Sequence, residues 1–426
     1  MFNHFIPSVI KNMMTVTTEA MIGNKKWFTC APKRFKGNHL FFSRDSGLLC
    51  KAFQAVGVEC KAILPGPPMD DDQAVDLIRT DYSNLEDAEW WRELGGEGVV
   101  FYGWGAGRYA KIAQAIRKSG MFLVSHMDTG GLIGIFNGPL IYGRGIWRIT
   151  RGEQRNLAMA ICHFLKQYVS ASTVGLYFND YRRATHLREA NVIGAITPIA
   201  LERIKKVCRH YGGGLEKRVQ LIPHPIPEYM RYDQKVPKEK LVVAIGRWNQ
   251  EQVKGTSLLA STIVQLLAIE KFVKVEIYGV PSNSLKQWHK ELPDEDQVRV
   301  KLKGRQPNRE LRHALQRASI SLCTSMRESF HIASGEALCS GASVVGPDIE
   351  ELPGLKWFTK NDSGSLAPRT ARGLAEGVAS ELRAWGQGKR DPQKISESWT
   401  PVLHSSQVVR NILNLFDSRG SDKNPN

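Results

Sequence analysis

Two carboxylates in the last third of the chain, Glu328 and Glu336, have the type and spacing that most directly suggest chemistry. On one continuous helix, eight steps of 100° would leave these side chains roughly 80° apart around the axis and about 12 Å apart along it, too far to grip one small ligand. The residues predict a different layout. Ile320 to Thr324 reads as a short buried strand and Ser329 to Ile332 as a turn. Ala333 to Ser340 reads as a helix closed by a left-handed Gly341, and the apolar Ala342 to Val345 follows as a second strand. Strand, loop, helix and strand make half of a doubly wound α/β unit, whose ligands sit beyond the carboxyl ends of the strands, near helix N-termini. Glu328 then hangs from the loop and Glu336 from the first turns of the helix, so that both face one crevice.

Other residues with chemical potential are less specific. His126 closes the apolar run that begins at Met121, in FLVSHMD, at the carboxyl end of a strand; a lone histidine there is either part of a site or structural. GWGAGRY joins the strand Val99 to Tyr102 to a helix from Tyr109 to Lys118. It is either a phosphate cradle or a tight turn, because the spacing of Gly103, Gly105 and Gly107 is not the dinucleotide fingerprint. The acidic stretch PGPPMDDD, residues 65–72, reads as a solvated surface loop. Consecutive aspartates cannot all face one metal ion without a shaped loop around them.

The elements that position these groups form two successive α/β arrays. In the first, Leu48 to Val56 reads as a helix, Glu59 to Leu64 as a strand, Thr150 to Tyr168 as one long helix and Val192 to Thr197 as a strand. Pro198 to Tyr211 reads as a basic amphipathic helix with a solvated face. Pro223, Pro225 and Pro227 in PHPIPEYMRY stop regular structure and set a boundary near residue 235. The second array opens with the strand Leu241 to Ile245, which delivers Gly246, Arg247 and Trp248, then Lys254 and Gly255 before a helix from Thr256. Val273 to Tyr278 and Val298 to Leu302 follow as strands, and Thr370 to Trp385 and Ser405 to Phe416 as helices. The expected division is 1–235, 236–400, a C-terminal helix at 401–418 packing back toward the first domain, and a disordered tail at 419–426.

The chain has 426 residues, 42% hydrophobic and 23% charged, a composition that fits folded domains rather than extended disorder. Its formal charge of +16 favours anionic partners without choosing among nucleotides, acidic membranes and nucleic acid. The seven cysteines form no Cys-x-x-Cys pair and read as reduced thiols. No apolar run reaches the ~18 residues of a membrane span. Met1 to Met14 spaces its apolar residues helically, as a docked helix or a membrane-surface helix would, and lacks the pattern of a secretory signal.

The order GRW and KG, then IYG, then KGR with ELRHAL, then ESFHIASGEALCSGASVVGPD resembles the C-terminal half of retaining glycosyltransferases of the GT-B fold, family 4, glycosyl transferases group 1. The E-x7-E pair in a strand-loop-helix is the hallmark of that family. FLVSHMD resembles the strand that ends in the family's sugar-contacting histidine. NVIGAITPIALERIKKVCRHYGG with KRVQLIPHPI resembles the segment closing the first domain. The resemblance implies an α/β fold of two Rossmann-like doubly wound domains facing across a donor cleft. It implies that Gly246, Arg247, Lys254, Arg305, Gln306, Glu328, Ser329, Phe330, His331, Ile332 and Glu336 bind a nucleoside-diphosphate sugar. Arg247 and Lys254 would hold the diphosphate, Glu336 the ribose hydroxyls, and Glu328 with the following amides the sugar and phosphates. Arg305 and Gln306 would lie near the base. The catalytic set would be His126, Arg247, Lys254 and Glu328. Two fixed cations and a helix N-terminus stabilise a departing diphosphate, so no metal or other cofactor is expected.

Two departures stand out. His331 occupies a position where the family usually has glycine, and FFSRDSG replaces a glycine pair in the first domain, leaving Ser43, Arg44 and Ser46 as candidates for that loop. The implied activity is transfer of a hexose to an acceptor hydroxyl with retained configuration, in glycoconjugate or surface-polysaccharide synthesis. The implied setting is the cytoplasm or the inner face of a membrane, with a lipid-linked or anionic glycan acceptor, peripheral membrane association and no specific nucleic acid. The alternative is a catalytically impaired relative that binds sugar nucleotide or polyanion.

Overall fold

The computed structural model describes residues 25–420 apart from 34–37, 44, 71, 73–75, 154–155, 174–177 and 179. The expectations for Met1 to Met14, for Arg44 and for the last residues, 421–426, fall outside the described residues.

Two all-parallel sheets carry the chain. The first comprises β1 (Lys26–Cys30), β2 (Glu59–Pro65), β3 (Leu77–Thr80), β4 (Gly98–Phe101), β5 (Phe122–His126), β6 (Val192–Ala195) and β7 (Val219–Leu221), in the order β3-β2-β1-β4-β5-β6-β7. The second comprises β8 (Glu239–Ile245), β9 (Lys274–Tyr278), β10 (Val300–Gly304), β11 (Ala318–Leu322), β12 (Ser343–Pro347) and β13 (Gly364–Ala367), in the order β10-β9-β8-β11-β12-β13. In each, the chain winds outward from its first strand and then returns to the other side of it. The order therefore reverses between β1 and β4 and between β8 and β11, where the diverging loops leave a crevice. Strands covered on both faces need continuous apolar runs, and β5, β11 and β12 are buried along their whole length.

The helices that matter for the site are α1 (Asp45–Ala55), α2 (Ala110–Lys118), α3 (Pro139–Glu153), α4 (Leu157–Ser172), α5 (Pro198–Tyr211), α6 (Glu251–Lys254), α7 (Thr256–Ile269), α8 (Ile332–Cys339), α9 (Pro353–Phe358), α10 (Ala371–Gly386), α11 (Pro392–Leu403) and α12 (Ser405–Gly420). After α11 the chain returns to the first domain. Ile226 donates its N–H to Leu403 at 2.8 Å, and Ser405 donates to Ile226 at 2.9 Å. Val408, Val409, Ile412 and Leu413 of α12 then fill a core that also contains Trp27 and Phe53.

Two expectations are corrected. The single helix from Thr150 to Tyr168 is two helices, α3 and α4, because the Asn156 side chain accepts from the N–H groups of Ala158 and Met159 and starts a new helix. Both pieces are apolar on the face they share, which is why the periodicity runs through the break. Within PGPPMDDD, Asp72 is not solvated but 5% exposed. It accepts from Arg79 and Asn38, each at 2.9 Å, and from the Met69 N–H at 2.7 Å. Burial opposes its ionisation, yet these bonds outweigh it and hold the carboxyl below the usual carboxylate range.

Candidate active site

The first cation of the site rests on a braced turn. Beyond β8, the Gly246 N–H donates to Tyr278 at 3.1 Å, the Trp248 N–H to Val280 at 3.0 Å, and the Trp248 indole to the Tyr278 carbonyl at 2.8 Å. Arg247, held between these two anchored neighbours, is exposed. The brace depends on Gly279 at φ +106°, where a Cβ would lie 1.9 Å from the Gly246 carbonyl oxygen.

The second cation arrives from the next turn. Lys254 ends α6, which Gly255 closes at φ +65°, so near β11 that a Cβ there would lie 2.6 Å from the Thr324 carbonyl oxygen. The Thr324 hydroxyl donates to the Lys254 carbonyl at 2.8 Å, and the Met326 N–H to Val253 at 2.8 Å. These bonds bring the Lys254 ammonium onto the Glu328 carboxylate, forming a largely buried ion pair. Burial raises the pKa of Glu328, but the charge and hydrogen bond of Lys254, with the charge of Arg247, outweigh it and keep the carboxyl ionised below its ordinary range. The Glu328 N–H is itself fixed, donating to Glu351 at 3.1 Å.

His331 precedes α8 at φ +66°, the left-handed conformation that glycine adopts without strain. Its ring is 5% exposed and its Nδ1 lies 2.7 Å from the Ser334 hydroxyl. Burial first, then the neighbouring Lys254, pushes its pKa down to about 4. The imidazole is therefore neutral at pH 7 and adds no cation to the crevice, while the backbone keeps the bend into α8. Ile332 and Ala333 follow in the first helical turn, where amide groups have no intrahelical acceptor.

Glu336 lies one turn further along α8, half-buried beside Tyr229, whose phenol pKa is raised by burial and then by the charge of Glu336. Arg305 is exposed beyond the end of β10, and Gln306 donates to the Lys303 carbonyl at 2.5 Å. The Gly279 N–H donates to Gly304 at 2.8 Å, which places their loop beside the Arg247 turn. Ser329 is half-buried, and Phe330 is enclosed by Phe358, at 5.1 Å, and Trp357, at 6.4 Å between ring centroids. Arg247, Lys254, Glu328 and His331 thus form one electrostatic group.

The opposite wall differs from the sequence reading in one respect. His126 is 0% exposed, stacked on Tyr102 at 4.2 Å and 5.1 Å from the His224 ring. Burial, and then the nearby His224, lowers its pKa to about 3. It presents no surface to the crevice. The group that does is Asp128, two residues on, with φ +41° and a partly exposed carboxylate. Asp128 lies 2.6 Å from His224 Nε2 and accepts from the Trp104 indole at 2.9 Å. Burial opposes its ionisation, but His224 and then Trp104 lower its pKa to about 2. Asp45, which starts α1 within FFSRDSG, approaches His224 Nδ1 at 4.0 Å. Of the candidates beside it, Ser46 is buried at 1% exposure.

His224 and Asp45, which stand in this wall beside Asp128, were not singled out from the sequence. The sequence offered one signal, an imidazole fixed between Pro223 and Pro225. The two walls meet where the His224 and Phe330 rings are 5.3 Å apart and where a Cβ on Gly130 would lie 3.2 Å from Pro353. Arg203 of α5 spans the same seam, donating to the Gly130 carbonyl at 3.1 Å and to the Glu350 carboxylate at 2.9 Å. That helix face is a tether as well as a solvated surface.

This architecture is the GT-B fold. The chain superposes on the Anabaena protein HepE in complex with UDP with a TM-score of 0.60, at 12% identity, over 92% of this chain and 100% of that one. For sucrose-phosphate synthase from Thermosynechococcus elongatus the TM-score is 0.57, at 12% identity, over 94% and 100%. For the lipopolysaccharide outer core galactosyltransferase WaaB in its apo form it is 0.55, at 13% identity, over 92% and 99%. The family model described as glycosyl transferases group 1 matches residues 239–383, the segment that carries Arg247, Lys254 and both glutamates. None of the curated proteins matches the chain significantly. The fold is therefore GT-B, and the family model covers a segment of the second domain.

Proposed function

We propose that the chain is a retaining glycosyltransferase that moves a hexose from a nucleoside-diphosphate sugar to an acceptor hydroxyl, in the synthesis of a glycoconjugate or surface polysaccharide. The observation that carries this reading is the Lys254–Glu328 ion pair beside the exposed Arg247, at the bend into α8. One solved neighbour, HepE, is described in three structures as a complex with UDP, with UDP and glucose, and with UDP-glucose. A uridine-diphosphate sugar is accordingly the first donor to try.

In this reading Arg247 and Lys254 hold the diphosphate and stabilise the charge it gains as the anomeric bond breaks. Glu328 orients Lys254 and meets the sugar, and Glu336 anchors the ribose. The amides at the start of α8 receive phosphate oxygens. Arg305 and Gln306 contact the base. The departing phosphate helps deprotonate the acceptor on the same face of the sugar, so that no metal or other cofactor is required. On the acceptor side the role sought in His126 passes to the partly exposed Asp128, which His224 and Trp104 hold in place. An acceptor that is a lipid-linked or anionic glycan suits the +16 charge.

The test is a thermal-shift screen of nucleoside diphosphates and sugar nucleotides, followed by an assay for slow donor hydrolysis. A donor at 100 times its Kd is expected to stabilise the protein by about 2.7 kcal/mol. Glu336→Ala is expected to weaken that donor by about 1.5–3 kcal/mol, the value of a hydrogen bond to a charged group. If no diphosphate raises the melting temperature and no sugar nucleotide is hydrolysed, the reading fails. Binding without hydrolysis would instead favour the second reading, a protein that holds sugar nucleotide without transferring it, which the enclosure of His126 motivates.

A further inference from the structure

The hairpin of α3 and α4 carries more apolar surface than it uses. It lies between β5 and β6, and one stripe of α4 is spent on its partner helix. Ala160 is fully buried, Phe164 packs edge-on against Trp147 of α3 at 5.5 Å, and the Tyr168 ring closes over Gly143, where a Cβ would lie 2.9 Å from it. The neighbouring stripe, Leu157, Ile161, Leu165 and Val169, recurs at every fourth residue and remains 52%, 42%, 50% and 50% exposed. At the start of α3, Leu140 is 77% exposed. An ordinary surface helix turns charges to the solvent on this side, so an apolar stripe left in water here marks an interaction surface.

The charges around the stripe indicate its partner. Residues 139–179 contain one carboxylate, Glu153, against Arg144, Arg148, Arg151, Arg155 and Lys166. Arg144 and Lys166 are exposed on the hairpin. A second copy of the same face would oppose cation to cation, whereas an anionic lipid surface accepts both the apolar stripe and its flanking cations. Among the described residues no helix is long and apolar enough to cross a membrane. We propose that the α3–α4 hairpin docks the protein onto anionic bilayers through the Leu157–Ile161–Leu165–Val169 stripe. The inference does not depend on transfer activity. Because α3 also touches α6, the turn that carries Lys254, docking by this face holds the mouth of the crevice at the lipid surface.

The experiment is co-sedimentation of the full chain with phosphatidylglycerol vesicles and with phosphatidylcholine vesicles at physiological ionic strength. The wild-type protein is expected to partition onto the anionic vesicles at least ~10-fold better than onto the neutral ones. The double variant Ile161→Asp/Leu165→Asp changes only exposed side chains. It is expected to keep the wild-type melting temperature and lose ~10-fold or more of the partitioning, because two charges then enter the apolar boundary. Lys166→Glu is expected to weaken partitioning about 5-fold, an effect that rising salt erases. Three results would overturn the proposal. They are equal partitioning on both lipids, wild-type binding by the double variant, or a dimer in solution that the double variant dissolves while neither protein binds vesicles.

Discussion

Lys254→Ala is expected to lower donor hydrolysis, and transfer to any acceptor found, by on the order of 10²- to 10³-fold, the cost of removing one fixed charge-stabilising donor from a transition state. Two effects are mixed in that substitution and can be separated. Lys254 is paired with Glu328 in a largely buried setting, so its removal also leaves a carboxylate without its counter-ion, and the protein loses stability as well as rate. Adding Glu328→Gln to the same chain removes the orphaned charge. The melting temperature is expected to recover in the double variant while the rate stays low, because the neutral amide restores no cation to the departing phosphate. Arg247 gives the cleaner single change. It is exposed on its turn, so Arg247→Ala is expected to reduce the rate over the same range and leave the melting temperature unchanged. Steady-state hydrolysis with thermal melting of the three variants and the wild type decides the matter. Rates within about threefold of wild type for both single cation variants would remove these residues from the chemistry.

In the second domain the central strand β8 was legible because Leu241 to Ala244 are buried and appear as an unbroken apolar run. The end of α8 was legible because the left-handed Gly341 announces it. What the sequence hid has specific causes. Lys254 and Glu328 are 74 residues apart, and nothing local in either segment indicates that Gly255 and Thr324 dock their turns together. The left-handed conformation before α8 is announced by glycine in most chains, and here a histidine adopts it. His126 shows the limit of strand arguments. In β5 every residue is buried, so alternation of side chains does not distinguish a residue aimed at a site from one enclosed beneath it. The chain only regains access to the crevice past the strand, at Asp128. Asp72 has the composition of a solvated acidic loop, and only the approach of Arg79 and Asn38 makes it a buried anchor.

Acidification is expected to destabilise the protein steeply between about pH 6.5 and pH 4, through three histidines that the fold keeps neutral. In the unfolded chain each takes up a proton near pH 6.5. In the folded protein His126 does so at about 3, and His186 and His331 at about 4, burial being the leading cause for all three. His186 illustrates how the neutral form is built in, with Nδ1 3.0 Å from the Ala106 carbonyl and Nε2 3.0 Å from the Ser125 hydroxyl. Within this window the unfolded state binds more protons than the folded state, so the free energy of unfolding falls as the pH falls. A histidine fully inside the window contributes roughly 1.4 kcal/mol per pH unit, and three together give a steepest slope on the order of 4 kcal/mol per unit. Asp128 and Glu228, both at about 2, are also depressed, but their contribution is lost only as the pH falls below the ordinary carboxylate range. Asp180 is raised by burial and acts in the opposite sense around that same lower range. Histidine therefore dominates above it. Urea midpoints at pH 7.5, 6.0 and 5.0 are expected to drop with that curvature. In His126→Phe, which retains a ring against Tyr102, the slope should fall by about a third, since one of the three proton sites is gone. A midpoint that stays level from pH 7.5 to 5.0 would mean that these rings are protonated or solvated in the folded protein, contrary to their burial.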